Sequence, residues 1–239
     1  PYIKMTLALL NEIGVKTSFE NNIIKVTYCP SPIIHHPIIV ESDWSSASYW
    51  YSIVALSEIG TQIKLSSYKE NSLQGDSALI EIYKDFGVET IFNSDNSITI
   101  SKERIHNSEL RTRNSELNNS PDIAQTIAVT CFGLGMGCHL TGLHTLKIKE
   151  TDRLEALKTE LTKLGAKVLV TNDSLTLENS NSINENITIA TYQDHRMAMA
   201  FAPLALKVPI QINEAEVVSK SYPDFWEDLK KVGFSIKEL

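Results

Sequence analysis

The chain has 239 residues, 42% of them hydrophobic and 21% charged, which is the balance of a globular protein with a sizeable core. Its formal net charge of −7 argues against a nucleic-acid surface, while leaving room for a small basic pocket that takes anions. No apolar run reaches the ~18 residues of a membrane span, and Cys29, Cys131 and Cys138, with no CxxC pair, suggest neither a disulfide framework nor a zinc site.

In chain order, the first unit is a helical pattern ending at Gly14, followed by alternating strands at 15–19 and 23–26. Cys29-Pro30-Ser31-Pro32 and His36-Pro37 then read as an extended connector. Residues 1–42 therefore stand apart, and about 40 residues is near the lower limit for independent folding. The opening Pro1-Tyr2, without an initiator methionine, is expected of a piece of a longer protein.

From residue 43 onward two kinds of helix alternate. One kind is apolar nearly all round, must be buried, and opens each time with an aspartate: Asp43-Trp44-Ser45-Ser46, Pro121-Asp122-Ile123-Ala124 and Asp194-His195-Arg196-Met197. Pro203 falls inside the third and is expected to kink it. The other kind is amphipathic and ends on a glycine, at Gly87, Gly165 and Gly233. Paired strands are expected after the first two of these, at 88–92 with 97–100 and at 166–171 with 175–177. The pattern recurs roughly every 70 residues, too long for a solenoid. Three buried helices around an approximate threefold axis would run parallel and aim their N-termini at one face, electropositive from backbone alone.

A strand-like run at 143–148 is expected to turn into a helix at Lys149-Glu150-Thr151-Asp152-Arg153-Leu154. Cations at a helix N-terminus oppose its dipole unless an anion lies between them and the free N–H groups, so this turn reads as an anion site carrying its own acid. A solvated, charge-mixed helix start is the competing reading. Asp122 and Asp194 are both well placed as helix caps.

The hexapeptide 149–154, together with Tyr192-Gln193-Asp194-His195-Arg196-Met197-Ala198-Met199, resembles the 5-enolpyruvylshikimate-3-phosphate synthase family. Asp43-Trp44-Ser45-Ser46-Ala47-Ser48-Tyr49, Asn71-Ser72-Leu73-Gln74-Gly75-Asp76, Pro121-Asp122 and Lys220-Ser221-Tyr222-Pro223-Asp224 match as well, in family order across the chain. The resemblance implies an α/β fold: an inside-out lobe of repeated βαβαββ units with three buried parallel helices. Residues 43–239 would be the C-terminal catalytic lobe, lacking the family's first strands. Residues 1–42 would be the last unit of the N-terminal lobe plus the hinge.

The implied reaction moves the enolpyruvyl group of phosphoenolpyruvate onto the 5-hydroxyl of shikimate 3-phosphate, by addition and then loss of phosphate. The resemblance implies that Asp122 accepts the hydroxyl proton and contacts shikimate 3-phosphate. Glu150 donates a proton at carbon, and must hold that proton near neutral pH. Lys149 bridges the two substrates, Arg153, Arg196 and Lys220 hold phosphoenolpyruvate, and His195 supports from beside the reacting carbon. Tyr2 reaches shikimate 3-phosphate from the small unit. Thr145 stands on the same side, where the family often has an asparagine touching that substrate. No metal or cofactor is implied, the location is cytoplasmic, and the remaining N-terminal half is the expected partner. Two alternatives stay in view: a sister transferase acting on UDP-N-acetylglucosamine, which the wording of 149–153 and 194–199 disfavours, and a non-catalytic anion-binding half.

Overall fold

The computed structural model describes residues 2–27, 40–104 and 112–238. The proline-marked connector and Cys29 lie outside these residues. The first unit is a helix α1 (Tyr2–Glu12) followed by the antiparallel hairpin β1 (Lys16–Glu20) and β2 (Ile23–Thr27). No side chain of α1 is buried, and Tyr2, Ile3, Phe19, Ile23, Ile24 and Val26 are exposed apolar residues.

The rest of the chain is built on helix α2 (Trp44–Leu56), helix α4 (Ala124–Gly133) and helix α6 (His195–Phe201), each buried on nearly every side. Around them run β3 (Gln62–Leu65), α3 (Leu79–Lys84), β4 (Val88–Phe92), β5 (Ile98–Lys102), β6 (Thr112–Glu116), β7 (Gly137–Thr141) and α5 (Arg153–Lys163). β8 (Val168–Val170), β9 (Leu175–Leu177), β10 (Ile187–Ile189), β11 (Ile210–Ile212) and α7 (Phe225–Lys231) complete the order. The stretch β6–α4–β7–α5–β8–β9 is one βαβαββ unit. Its parallel β6–β7 pair is joined through the buried helix α4, and its antiparallel hairpin β8–β9 docks on β7. Its predecessor runs α2–β3–α3–β4–β5 among the described residues, in a sheet ordered β3-β5-β4. In the third, the parallel pair β10–β11 spans α6, and α7 follows.

The three buried helices run parallel. Their first turns meet around Arg196, whose guanidinium reaches Asp122 before α4 and feels the charge of Asp43 before α2. At the other end Gly133 of α4 meets Leu56 of α2 and Leu204 beyond α6 so closely that a Cβ there would lie 2.7 and 2.9 Å from their methyl groups. Small hydroxyl residues let α2 and α4 approach: Ser48 bonds Thr126 at 3.0 Å and Thr130 donates to Ser52 at 2.8 Å. These hydroxyls would be costly if buried unpaired. α6 ends at Phe201 and continues as a 3-10 turn over Ala202–Leu206, as Pro203 requires.

The hairpins expected after Gly14, Gly87 and Gly165 are present, and these glycines together with Gly233 all have φ between 73° and 102°. The run at 143–148 is not a strand. β7 stops at Thr141, Gly142 turns at φ +77°, and His144–Ile148 forms a 3-10 helix that leaves Ile148 exposed. A side chain at Gly142 would collide with the Asn118 backbone at 2.6 Å, so the chain must leave the sheet there.

Candidate active site

The helix α5 starts at Arg153, and Asp152 caps it by accepting from the N–H groups of Leu154 and Glu155 at 3.2 Å each. Asp152 therefore takes two of the free donors anticipated at this turn, and Lys149 and Glu150 precede the helix in a bend. The positive charge of this region comes from side chains, not from the helix end. Asp122 departs in the other direction: it sits in a 3-10 turn and makes no cap bond to α4.

Its carboxylate is instead the meeting point of four elements. Oδ1 accepts from Arg153 Nη1 at 3.0 Å and faces Lys149 Nζ at 3.3 Å. Oδ2 accepts from the Tyr2 hydroxyl at 3.1 Å and from Arg196 Nη2 at 3.4 Å. Lys149 Nζ also lies 5.9 Å above the Tyr2 ring, a cation–π distance. Tyr2 thus reaches the site from the first unit.

Arg153 is only 2% exposed and binds three carboxylates: Asp194 through Nε at 2.6 Å, Asp122 through Nη1, and Glu150 through Nη2 at 2.6 Å. Asp194 is both the cap of α6, accepting from the Arg196 N–H at 2.9 Å, and the fully buried partner of Arg153. Sequence reading gave it only the first role. Glu150 meets Lys220 Nζ at 3.1 Å on its outer side, and Lys220 is the last residue of a 3-10 segment that packs along α6. Three carboxylates (Asp122, Glu150, Asp194) thus share four cations (Lys149, Arg153, Arg196, Lys220) through direct ion pairs.

Arg196 is enclosed by groups the sequence did not flag. Tyr49 from α2 hydrogen-bonds it, and burial pushes that phenol up to about 12. Asp76, buried and bonded by the Ser45 hydroxyl, adds a further negative neighbour; burial raises its carboxyl to about 6. The signal was present in the matched segments 43–49 and 71–76, but composition offered no reason to aim either residue at Arg196.

These charges set the protonation states. Burial would raise the Asp122 carboxyl, but Arg196, Lys149 and Arg153 hold it below the usual carboxylate range. Burial also pushes Glu150 up, yet its own backbone N–H, Lys220 and Arg153 together bring it to about 2. The expectation of a Glu150 that keeps its proton near neutral pH is not met while these cations face it. Burial, with Arg196 alongside, lowers His195, so the imidazole is neutral at pH 7. His195 Nδ1 lies 3.9 Å from Asp194 Oδ1, too far for a hydrogen bond, and it and the Thr145 hydroxyl are buried without a hydrogen-bond partner. Thr145 lies in the 3-10 turn leading to Lys149. An open pocket of about 630 Å³ borders Glu150 on the side of Tyr192, Gln193, Asn213 and Glu214. Among the described residues no cluster of His, Cys, Asp and Glu is disposed to hold a metal ion, and no helix is long and apolar enough to cross a membrane.

The family model described as EPSP synthase (3-phosphoshikimate 1-carboxyvinyltransferase) matches residues 1–229. The chain belongs to this family. It is 44% identical over 240 residues to a 3-phosphoshikimate 1-carboxyvinyltransferase of Bacteroides fragilis, covering 99% of this chain and 57% of that one. The corresponding protein of Syntrophobacter fumaroxidans is 33% identical, with 97% and 53% covered. The chain thus spans about half the length of the EPSP synthases it matches. Its fold is that of the Acinetobacter baumannii EPSP synthase (TM-score 0.77, 23% identity, 96% of this chain and 54% of that one). The enolpyruvyl transferase NikO of Streptomyces tendae shares it too (TM-score 0.64, 17% identity, 99% and 54% covered).

Proposed function

We propose that this chain is the greater part of the catalytic machinery of a 3-phosphoshikimate 1-carboxyvinyltransferase, working in a longer enzyme. Residues 43–239 form its C-terminal lobe, and residues 1–42 are the last unit of an N-terminal lobe that supplies the facing wall. The observation that carries this reading is the convergence on Asp122 of Tyr2, Lys149, Arg153 and Arg196, with Glu150 and Lys220 alongside. A paired base and acid among four converging cations is what joining two polyanionic substrates requires.

In this mechanism Asp122, already ionised, takes the proton of the 5-hydroxyl as its oxygen bonds to C2 of phosphoenolpyruvate. The methylene carbon takes its proton from Glu150. The carbon proton then returns to Glu150 as phosphate leaves with the proton held by Asp122, and the vinyl ether forms. Glu150 acquires its proton because the phosphate and carboxylate groups draw the exposed Lys220 away from it and share the charge of Arg153, and a carboxyl beside anions has a raised pKa. Arg196, Lys220 and Arg153 hold phosphoenolpyruvate, with the guanidinium forks suited to its carboxylate and phosphate. Lys149 lies between the two substrates. Tyr2 and Thr145 face shikimate 3-phosphate, and neutral His195 sits beside the reacting carbon. The enzyme is cytoplasmic and uses no metal or cofactor in this reading.

The test is enolpyruvyl transfer by the purified chain, alone and with the N-terminal half added. The chain is expected to melt cooperatively and to be silent by itself with both substrates at millimolar concentration, because most of what positions shikimate 3-phosphate is missing. Turnover by the chain alone would contradict the two-lobe reading.

A further inference from the structure

The turn that delivers His195 and Arg196 is conformationally expensive. Tyr192 and Gln193 are consecutive non-glycine residues at φ 54° and 56°, a region that residues with a Cβ avoid, and such backbone persists only where its surroundings hold it. The Asp194 N–H closes the turn on the Thr191 carbonyl at 2.9 Å. What holds it is α5, at two points on one face. At the start of that helix, Arg153 grips Asp194. Two turns further on, about 10 Å along the axis, Glu160 grips the other side of the same turn.

Glu160 has a fully buried side chain, an unusual place for a carboxylate. Its Oε1 accepts from the Tyr192 hydroxyl at 2.7 Å, and its Oε2 accepts from the Ala190 N–H at 3.2 Å. Lys163 from the next turn of α5 supplies the countercharge at 2.7 Å. Every partner other than Lys163 belongs to the 190–192 segment, so the carboxylate's surroundings are spent on fixing that segment. The turn also walls the pocket beside Glu150. A displaced turn would therefore misplace the α6 N-terminus and the guanidinium of Arg196 together.

We infer that Glu160 and Tyr192 are positioning residues for phosphoenolpyruvate binding: they set the turn that aims Arg196, without touching substrate themselves. This rests on the assignment of Arg196 to phosphoenolpyruvate made above. Shikimate 3-phosphate, held by Lys149, Tyr2 and the facing lobe in that reading, should feel the turn far less.

The experiment is steady-state kinetics of the complete enzyme with Glu160→Ala, Glu160→Gln, Tyr192→Phe and Arg196→Ala, each with a thermal melt. Arg196→Ala serves as the reference for loss of the guanidinium. Glu160→Ala is expected to raise KM for phosphoenolpyruvate about 10-fold, the equivalent of one charge-assisted bond. Tyr192→Phe should raise it about 3-fold, with KM for shikimate 3-phosphate within about twofold in both variants. Glu160→Gln keeps one acceptor oxygen for the Ala190 N–H while its amide NH2 can donate to the Tyr192 oxygen, so it should restore most of the phosphoenolpyruvate KM even though its melting temperature falls with loss of the Lys163 pair. If Glu160→Ala does not fold, Tyr192→Phe carries the same test. Unchanged phosphoenolpyruvate KM in the folded variants, or equal shifts for both substrates, overturns the inference when Arg196→Ala remains selective. If Arg196→Ala weakens both substrates equally, the underlying assignment of Arg196 fails instead, and the inference with it.

Discussion

Arg153 and Lys220 hold the same carboxylate, Glu150, from opposite sides of the site and under opposite conditions. The Arg153 side chain is 2% exposed, with Asp194 at 0% and Asp122 at 11% around it, whereas Lys220 is 60% exposed. On the buried floor, charges are weakly screened, and removing one leaves its partners desolvated and unpaired. On the rim, water competes for every contact, so an ion pair adds little to stability and is easily exchanged for one with a ligand. The floor therefore fixes the geometry of three helix starts, and the rim is where the charge distribution can respond to substrate. Glu150 spans the two, which is why its protonation state is the quantity that binding can change.

The sharpest way to break this division is to remove a floor charge and a rim charge in the same chain. Arg153→Leu should destabilise by about 3–5 kcal/mol, because Asp194 would remain buried without its partner. Lys220→Leu should move stability by less than about 0.5 kcal/mol. Denaturant titration of both variants measures this directly, and equal losses would erase the distinction between floor and rim.

Arg196 belongs to the floor by burial but is proposed to hold phosphoenolpyruvate. In the complete enzyme, Arg196→Ala should weaken phosphoenolpyruvate by about 1.5–3 kcal/mol, the scale of a lost charge-assisted pair, with a much smaller effect on shikimate 3-phosphate. Calorimetry with each substrate separates the outcomes. Equal weakening would place Arg196 among residues that merely hold the site together.

A smaller effect tests the floor through pH. Burial raises the Asp76 carboxyl to about 6 in the folded chain, above its ordinary unfolded value of about 3.9. A folded pKa above the unfolded one means that the stabilising contribution is present in full below about pH 4 and is lost as pH rises through 6. Asp76→Asn does not titrate, so its stability relative to the parent chain should improve by about 1–2 kcal/mol between pH 5 and 7.5. A gap that stays constant, or widens against the variant, would show that Asp76 is not held protonated by its surroundings.

Much of the architecture could be read from local rules. A glycine at the C-terminus of each amphipathic helix announces a left-handed turn, and the apolar stretches at 44–56 and 124–133 could only be buried. The run at 143–148 misled because its apolar residues imitate a strand, while the decisive feature was Gly142, whose steric need depends on Asn118 across the turn. Asp122, Glu150 and Arg196 were nameable from the motifs that carry them. The roles of Asp194 and Glu160 were not, since Asp194 meets Arg153 from 41 residues away and Glu160 meets Tyr192 across 32. Both look locally like ordinary helix residues. The low value at Glu150 was equally hidden, because it is the sum of Lys220, Arg153 and its own backbone, against burial.

Turnover of the complete enzyme with Glu150→Gln and Asp122→Asn tests Glu150 and Asp122 as acid and base most directly. Each variant should lower kcat by roughly 10²-fold or more, the usual scale for a general acid or base, while substrate affinities change much less. Near-normal kcat with raised KM in both variants would make them binding residues and contradict the mechanism.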